Sequence, residues 1–151
     1  MERLFKKILC PTDFSDLSAK AIKKAAAFSI MTGAELYIAH IIIQQMADIY
    51  GMSVHSDYTD KGIVNIAEEK IREFTDKLIT DVNYEIFVKN DIHIYTGLLD
   101  IVNDKKIDLI IMATHGRKGL KRRLLGSATE AVIRHADCSV LALRDMERLI
   151  L

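Results

Sequence analysis

Cysteine is scarce in this chain. Cys10 and Cys138 lie far apart and show no C-x-x-C spacing, so a disulfide framework, a zinc ribbon or a thioredoxin-like pair is not expected. The histidines are scattered, without metal-ligand spacing. An excess of one charge is also missing: 21 basic and 21 acidic side chains cancel. A dedicated nucleic-acid binder is basic overall, so no nucleic-acid partner is expected. No apolar run approaches the ~20 residues of a membrane span. None long enough for a signal peptide follows Lys6 and Lys7. The expectation is a cytoplasmic protein with no membrane partner. Proline occurs once, at Pro11, a strand end where its missing N–H matters least. There is no internal repeat, low-complexity tract or linker. A chain of 151 residues makes one domain, 1–151, with a proper core, and is too short for two.

What is present is an alternation of short apolar runs and helical periods. Ile8 to Pro11 reads as a strand, followed by a polar break, Thr12-Asp13-Phe14-Ser15-Asp16, rich in helix-capping residues. A helix over Leu17 to Thr32 places Ala19, Ile22, Ala25, Ala26 and Ser29 on one face, and Gly33 stops it. Glu35 to Ile43 is apolar enough for a strand buried on both faces. Gln44 to Lys61 has no period and reads as a loop. Ile63, Ile66, Ala67, Phe74 and Leu78 then mark an amphipathic helix. Tyr84 to Lys89 alternates as a strand, and Leu98, Ile101 and Val102 mark a short helix ending before Lys106. Strands over Ile107 to Ala113 and Ser139 to Arg144 flank a helix that begins at Ser127. Such alternation implies right-handed crossovers and an open, Rossmann-like parallel sheet of five strands with helices on both faces.

The stretch richest in chemistry runs from Ala113 to Ser127. It joins a strand's carboxyl end to a helix amino end, the place where open α/β sheets hold phosphates and nucleotides. Gly116 and Gly126 would let backbone N–H groups approach phosphate oxygens, and Ser127 adds a hydroxyl at the positive end of a helix dipole. Arg117, Lys118 and Lys121 add positive potential. A plainer reading also fits: Ser127-Ala128-Thr129-Glu130 is spaced as a capping box, with Ser127 capping and Glu130 reaching back. The two are compatible, because a capped helix still has free N–H groups. Neither G-x-x-x-x-G-K-[ST] nor G-x-G-x-x-G is present, so ordinary P-loop phosphate transfer is not supported.

Asp13 lies at a strand's carboxyl end, on the same edge as that loop. It reads as a hydrogen-bond acceptor for a ligand, directly or through a metal, or else as a turn residue; Ser15 or Asp16 can fill the capping role. No aspartate at the end of the third strand completes a receiver-type acidic pocket. His115 reads as a phosphate contact or an exposed loop residue. His40 and His135 read as structural, and Cys10 as buried and inert. Lys121 to Arg123 read as a solvated basic face, and Met46 to Met52 as a loop over the site. No Ser/His/Asp or Cys/His set can be assembled, so no catalytic residue is assigned.

Three segments together resemble the universal stress protein family over nearly the whole chain: Lys7 to Ser15, Asp108 to Gly116, and Leu124 to Glu130 with Cys138 to Leu141. The resemblance implies the strand order 3-2-1-4-5. Nucleotide-binding members carry G-x2-G-x9-G-[ST], and this chain reads Ala113-x2-Gly116-x9-Gly126-Ser127, with alanine for the first glycine. What the resemblance implies is a site for ATP, or for ADP or AMP, with Mg2+ as an accompanying ion. Pro11, Thr12 and Asp13 would line the adenine and ribose side, and Ile41 would flank the base. Gly116, Gly126 and Ser127 would hold phosphates, with Ala113, His115, Arg117 and Ala128 in the same neighbourhood. The resemblance further implies a homodimer through strand 139–144, an apolar edge that invites pairing; the apolar tail Leu149-Ile150-Leu151 is expected to pack on a neighbour. Function then reads as a nucleotide-dependent stress-response switch. Two other readings stand beside it: a dimeric interaction module of the same fold without nucleotide, and a slow ATPase.

Overall fold

The computed structural model describes residues 2–43, 60–115 and 125–144. Gly116, Arg117, Lys118 and Lys121 to Arg123, the segment Met46 to Met52 and the tail Leu149 to Leu151 lie outside the described residues. The elements run β1 (Lys7–Pro11), α1 (Asp16–Thr32), β2 (Glu35–Ile43), α2 (Asp60–Asp76), β3 (Tyr84–Asp91), α3 (Ile94–Lys105), β4 (Leu109–Ala113), α4 (Ser127–His135) and β5 (Ser139–Leu143). The five strands form one sheet in the order β3-β2-β1-β4-β5, every neighbouring pair parallel. Ile8 faces Leu36 on one side and Leu109 on the other, and Ile110 faces Val140.

The pleat explains the two-sided core. Ile8, Cys10, Leu36, Ile38, Leu109 and Ile111 point to one face, where Ala21, Ile22, Ala25 and Ala26 of α1 and Ile71 of α2 cover them. The alternate residues Leu9, Tyr37, Ala39, Ile41, Ile110 and Met112 meet Leu98, Ile101 and Val102 of α3 and Val132 of α4 on the other. Both faces of the inner strands are therefore dry, and their unbroken apolar runs are what that burial requires. Small residues on α1 let it lie close to the sheet. Its buried positions are Ser18, Ala21, Ile22, Ala25, Ala26 and Ser29, close to the expected face except that Ser18 and Ala21 turn inward and Ala19 is only half-buried.

Helix ends follow their capping chemistry. Ser15 is the N-cap of α1, its side chain accepting from the Ser18 N–H at 3.2 Å. Ser15→Ala should cost about 1 kcal/mol of stability, measurable by urea denaturation as a lower midpoint at unchanged slope. Gly33 closes the same helix at φ 70°, its N–H bonding the Ser29 carbonyl, the conformation that favours glycine. At α3 the cap is borne by Asp91, whose Oδ1 accepts from the N–H groups of Ile92 at 2.7 Å and His93 at 3.3 Å and from the Thr96 hydroxyl at 2.6 Å.

Several boundaries differ from the sequence reading. Helix α2 already includes Asp60 and Lys61, which the absence of an apolar period had left in the loop. Strand β4 begins at Leu109 rather than Ile107: the Ile107 N–H is taken by the Val102 carbonyl, and the Asp108 carboxylate receives the N–H groups of Lys6 and Lys7 at 2.8 and 3.0 Å. Strand β3 runs on to Asp91. Among the described residues, no helix is long and apolar enough to cross a membrane.

Candidate functional site

At β1 the strand order reverses. The chain passes from β1 to β2 on one side and later crosses to β4 on the other. A crevice opens at such a switch point, outside the strands' carboxyl ends. Here it holds a cavity of about 140 Å3. Pro11, Thr12 and Asp13 line it from the end of β1, Ile41 from β2, Ala113 and His115 from the end of β4, and Ala128 from the first turn of α4. All seven were expected at one site from the sequence, and four separate stretches of chain bring them together. Gly126 borders this edge through its N–H, which donates to the Thr114 carbonyl at 2.7 Å. Ser127 is the exception: exposed, it lines a separate shallow depression with Tyr95, Glu130 and His135.

The cavity lining combines apolar and polar residues. Ile41, Ile94, Leu98 and Met112 form an apolar slot, and Thr12, Asp13, Ser18, His40, His115 and Thr129 bring polar atoms to the other walls. Few, placed polar groups on an otherwise apolar wall are the usual composition of a small-molecule site.

Those polar groups are held by their own network. The Thr12 and Ser18 hydroxyls lie 2.9 Å apart, and Thr12 Oγ1 accepts the Phe14 N–H at 3.1 Å. Asp13 Oδ1 accepts the Ser15 N–H at 3.0 Å, so Asp13 does serve the turn while Ser15 caps the helix. His40 Nδ1 lies 2.8 Å from the Thr12 carbonyl; a carbonyl only accepts, so the proton sits on Nδ1. The sequence reading left His40 as structural, yet its ring forms part of the cavity wall. The register places Ala39 beside Pro11, so the residue after it necessarily reaches the same rim.

Phe14 has a φ of 64°, a left-handed backbone that costs a non-glycine residue about 1–2 kcal/mol. Its ring packs against His40 at a centroid distance of 5.0 Å and edge-on against Phe74 at 5.4 Å. This aromatic packing offsets the strain and fixes the turn that carries Asp13. Nothing in the sequence marks it.

The expected capping box does not form. The N-cap of α4 is Gly126, with no side-chain capping bond. Ser127 is already the first helical residue, and Glu130 accepts from Arg134 at 2.9 Å instead. The first intrahelical bond runs from the Glu130 N–H to the Gly126 carbonyl. The N–H groups of Ser127, Ala128 and Thr129 are left without an intrahelical acceptor. Thr129 ties the turn to the sheet by donating its hydroxyl to the Ala113 carbonyl at 2.9 Å.

One atom points to a missing partner. His115 Nδ1 is 2.9 Å from the Thr114 hydroxyl, but Nε2 is buried with no hydrogen-bond partner among the described residues. Leaving a buried polar atom unpaired costs about 1–3 kcal/mol. Gly126 sits close to the end of β4, since a Cβ there would stand 3.1 Å from the Thr114 carbonyl oxygen.

Redox and metal chemistry find less support. Cys10 is fully buried, and burial pushes its thiol far above the usual range. Its position in the α1-facing core makes it inert, as expected. Cys138, half-buried, is also pushed up, first by burial and then by Asp108 and Asp137. Among the described residues, no group of three or more His, Cys, Asp or Glu could hold a metal ion.

Comparison with known proteins agrees with this architecture. The model of the universal stress protein family matches residues 4–144. Universal stress protein MJ0577 of Methanocaldococcus jannaschii is 30% identical, the match covering 95% of this chain and 98% of the relative. The solved structure of MJ0577 superposes with a TM-score of 0.76 over 94% of this chain and 97% of its own. Two more distant structures share the fold. One is a universal stress protein in complex with cAMP, with a TM-score of 0.62, 23% identity and coverage of 93% and 97%. The other is the universal stress protein of Archaeoglobus fulgidus in complex with dAMP, with a TM-score of 0.63, 16% identity and coverage of 93% and 99%. With nearly the whole length matched, and with the strand order and sheet-edge crevice in place, this chain belongs to the universal stress protein family.

Proposed function

We propose that this protein binds an adenine nucleotide (ATP, or ADP or AMP) in the crevice between the carboxyl ends of β1 and β4. The observation that carries the reading is the convergence of Pro11–Asp13, Ile41, Ala113, His115 and Ala128 on one cavity. In this reading the base lies in the apolar slot beside Ile41, and Thr12 and Asp13 face the ribose. The phosphates lie at the amino end of α4, where free N–H groups and the helix dipole favour negative charge. Gly116 and Arg117 would complete the phosphate loop. Ser127 contributes its backbone N–H there, and its exposed hydroxyl contributes less. Mg2+ would enter on the phosphates, with Asp13 as the carboxylate of the cavity wall. The cAMP and dAMP complexes of two family members support the choice of an adenine nucleotide.

Occupancy acts in this reading as a switch in a stress response: ligand orders the groups around the cavity and changes what the protein contacts. Acid extraction of the purified protein followed by chromatography tests it. Recovered ATP supports a binder, and recovered ADP or AMP supports slow turnover. An empty protein with no calorimetric response to any of the three contradicts nucleotide binding and leaves the interaction module.

The second part of the proposal is a homodimer through strand 139–144. β5 is an edge of the sheet, and Val140, Leu141, Ala142 and Leu143 are only half-buried. An exposed edge of that composition favours pairing with a second copy about a two-fold axis. Sedimentation at low micromolar protein should show a dimer, and Leu141→Lys should shift it to monomer. A wild-type monomer under the same conditions contradicts this part.

A further inference from the structure

Gly97 occupies the second turn of α3, where glycine is a poor helix former. The reason is a close approach to β2. A Cβ at this position would stand 2.9 Å from Ile41 Cδ1, 3.1 Å from Ile41 Cγ2 and 3.3 Å from Asp91 Cβ. Asp91 cannot give way, because its carboxylate is held by Ile92, His93 and Thr96. Ile41 is 7% exposed and belongs to the cluster of Tyr37, Ala39, Leu98 and Ile101. The open volume beside it is the cavity whose wall it forms. A side chain pushed off α3 therefore moves into that cavity.

We infer that Gly97 sets the width of the base slot: by presenting no side chain, it lets Ile41 lie back against α3 and leaves room for a bicyclic purine rather than a single-ring pyrimidine. The inference rests on the nucleotide reading above. Gly97 is a positioning residue, acting through Ile41 without contact to the base.

Calorimetric titration of ATP and CTP into wild type, Gly97→Ala and the double variant Gly97→Ala with Ile41→Val tests it. The single variant should lose about tenfold in ATP affinity, since overpacking has to be accommodated in the slot. CTP affinity should change by less than about threefold. The double variant lacks Ile41 Cδ1, the atom nearest the added Cβ, and should recover ATP affinity to within about threefold of wild type. A merely structural effect would weaken both nucleotides alike, in step with the melting temperature, and would not be rescued. Ile41→Phe, with Gly97 kept, narrows the slot while leaving the helix sequence unchanged and should show the same loss of ATP preference, which keeps the test open if Gly97→Ala folds poorly. Unchanged preference in both narrowing variants overturns the inference alone. A wild type that binds neither nucleotide overturns the functional reading, and this inference with it.

Discussion

Gly126→Val should abolish nucleotide binding and leave the protein folded. The Gly126 N–H bonds the Thr114 carbonyl at 2.7 Å, and a Cβ there would meet that same oxygen at 3.1 Å. Valine adds two further carbons at this point of closest approach. The backbone at 126 has to retreat from the end of β4, and the first turn of α4 moves with it. In the proposed reading, the amides of Ser127 and Ala128 would then move away from the phosphates. Hydrogen bonds to a charged phosphate contribute about 1.5–3 kcal/mol each, so the loss of two lowers affinity at least about 100-fold. Gly126 lies outside both core clusters. The cost in stability is that of local overpacking, about 1–3 kcal/mol, a fall of several degrees in melting temperature. Retained affinity in a folded variant would put the phosphates elsewhere.

Ile110→Ala should produce the largest loss of stability. Ile110 is fully buried, on a strand between β1 and β5, and its neighbours in register are Leu9 and Val140. Its side chain fills the space between the sheet and the layer of Leu98, Val102 and Val132. Both flanking strands and two helices hold that space open, so it collapses poorly after truncation. The expected cost is about 2–5 kcal/mol, a large share of the ~5–15 kcal/mol that holds a domain together. Thermal melting should fall by roughly 10 °C, at about 2–4 °C per kcal/mol for a domain of this size. Ile110→Val should cost only about 0.5–1.5 kcal/mol. A loss below 1 kcal/mol in the alanine variant would mean that this layer is loosely packed.

The element order was legible because burial on both faces leaves unbroken apolar runs, as in Leu109 to Ala113. The helices between them carry small or periodic faces, as Ala21 to Ser29 does. Strand order was not carried by periodicity; it came from the resemblance of segments such as Asp108 to Gly116 to a known family. The start of β4 was missed for a physical reason. Asp108, for example, is placed by side-chain bonds to the N–H groups of Lys6 and Lys7, and such bonds leave no hydrophobic period. Much of the cavity lining was expected, Asp13 and the Ala113–His115 stretch from their place at strand carboxyl ends and Pro11, Thr12 and Ile41 from the resemblance to the family. His40 was missed because it was judged within its own strand, apart from its neighbour. Glu130 and Ser127 fit a capping pattern, yet the turn closes one residue earlier, where Gly126 can approach Thr114. Phe14 and Gly97 had no signal at all, since both owe their roles to contacts made across the fold.

The account turns on a nucleotide seated at the carboxyl edge, and a titration of isotope-labelled protein with ATP followed by amide NMR tests it most directly. The predicted result is a set of shifts concentrated at Thr12, Asp13, Ile41, His115 and the turn from Gly126 to Thr129, saturating as ATP is added. No saturable change, or shifts confined to the opposite edge around Glu35, Asn83 and Glu85, would contradict it.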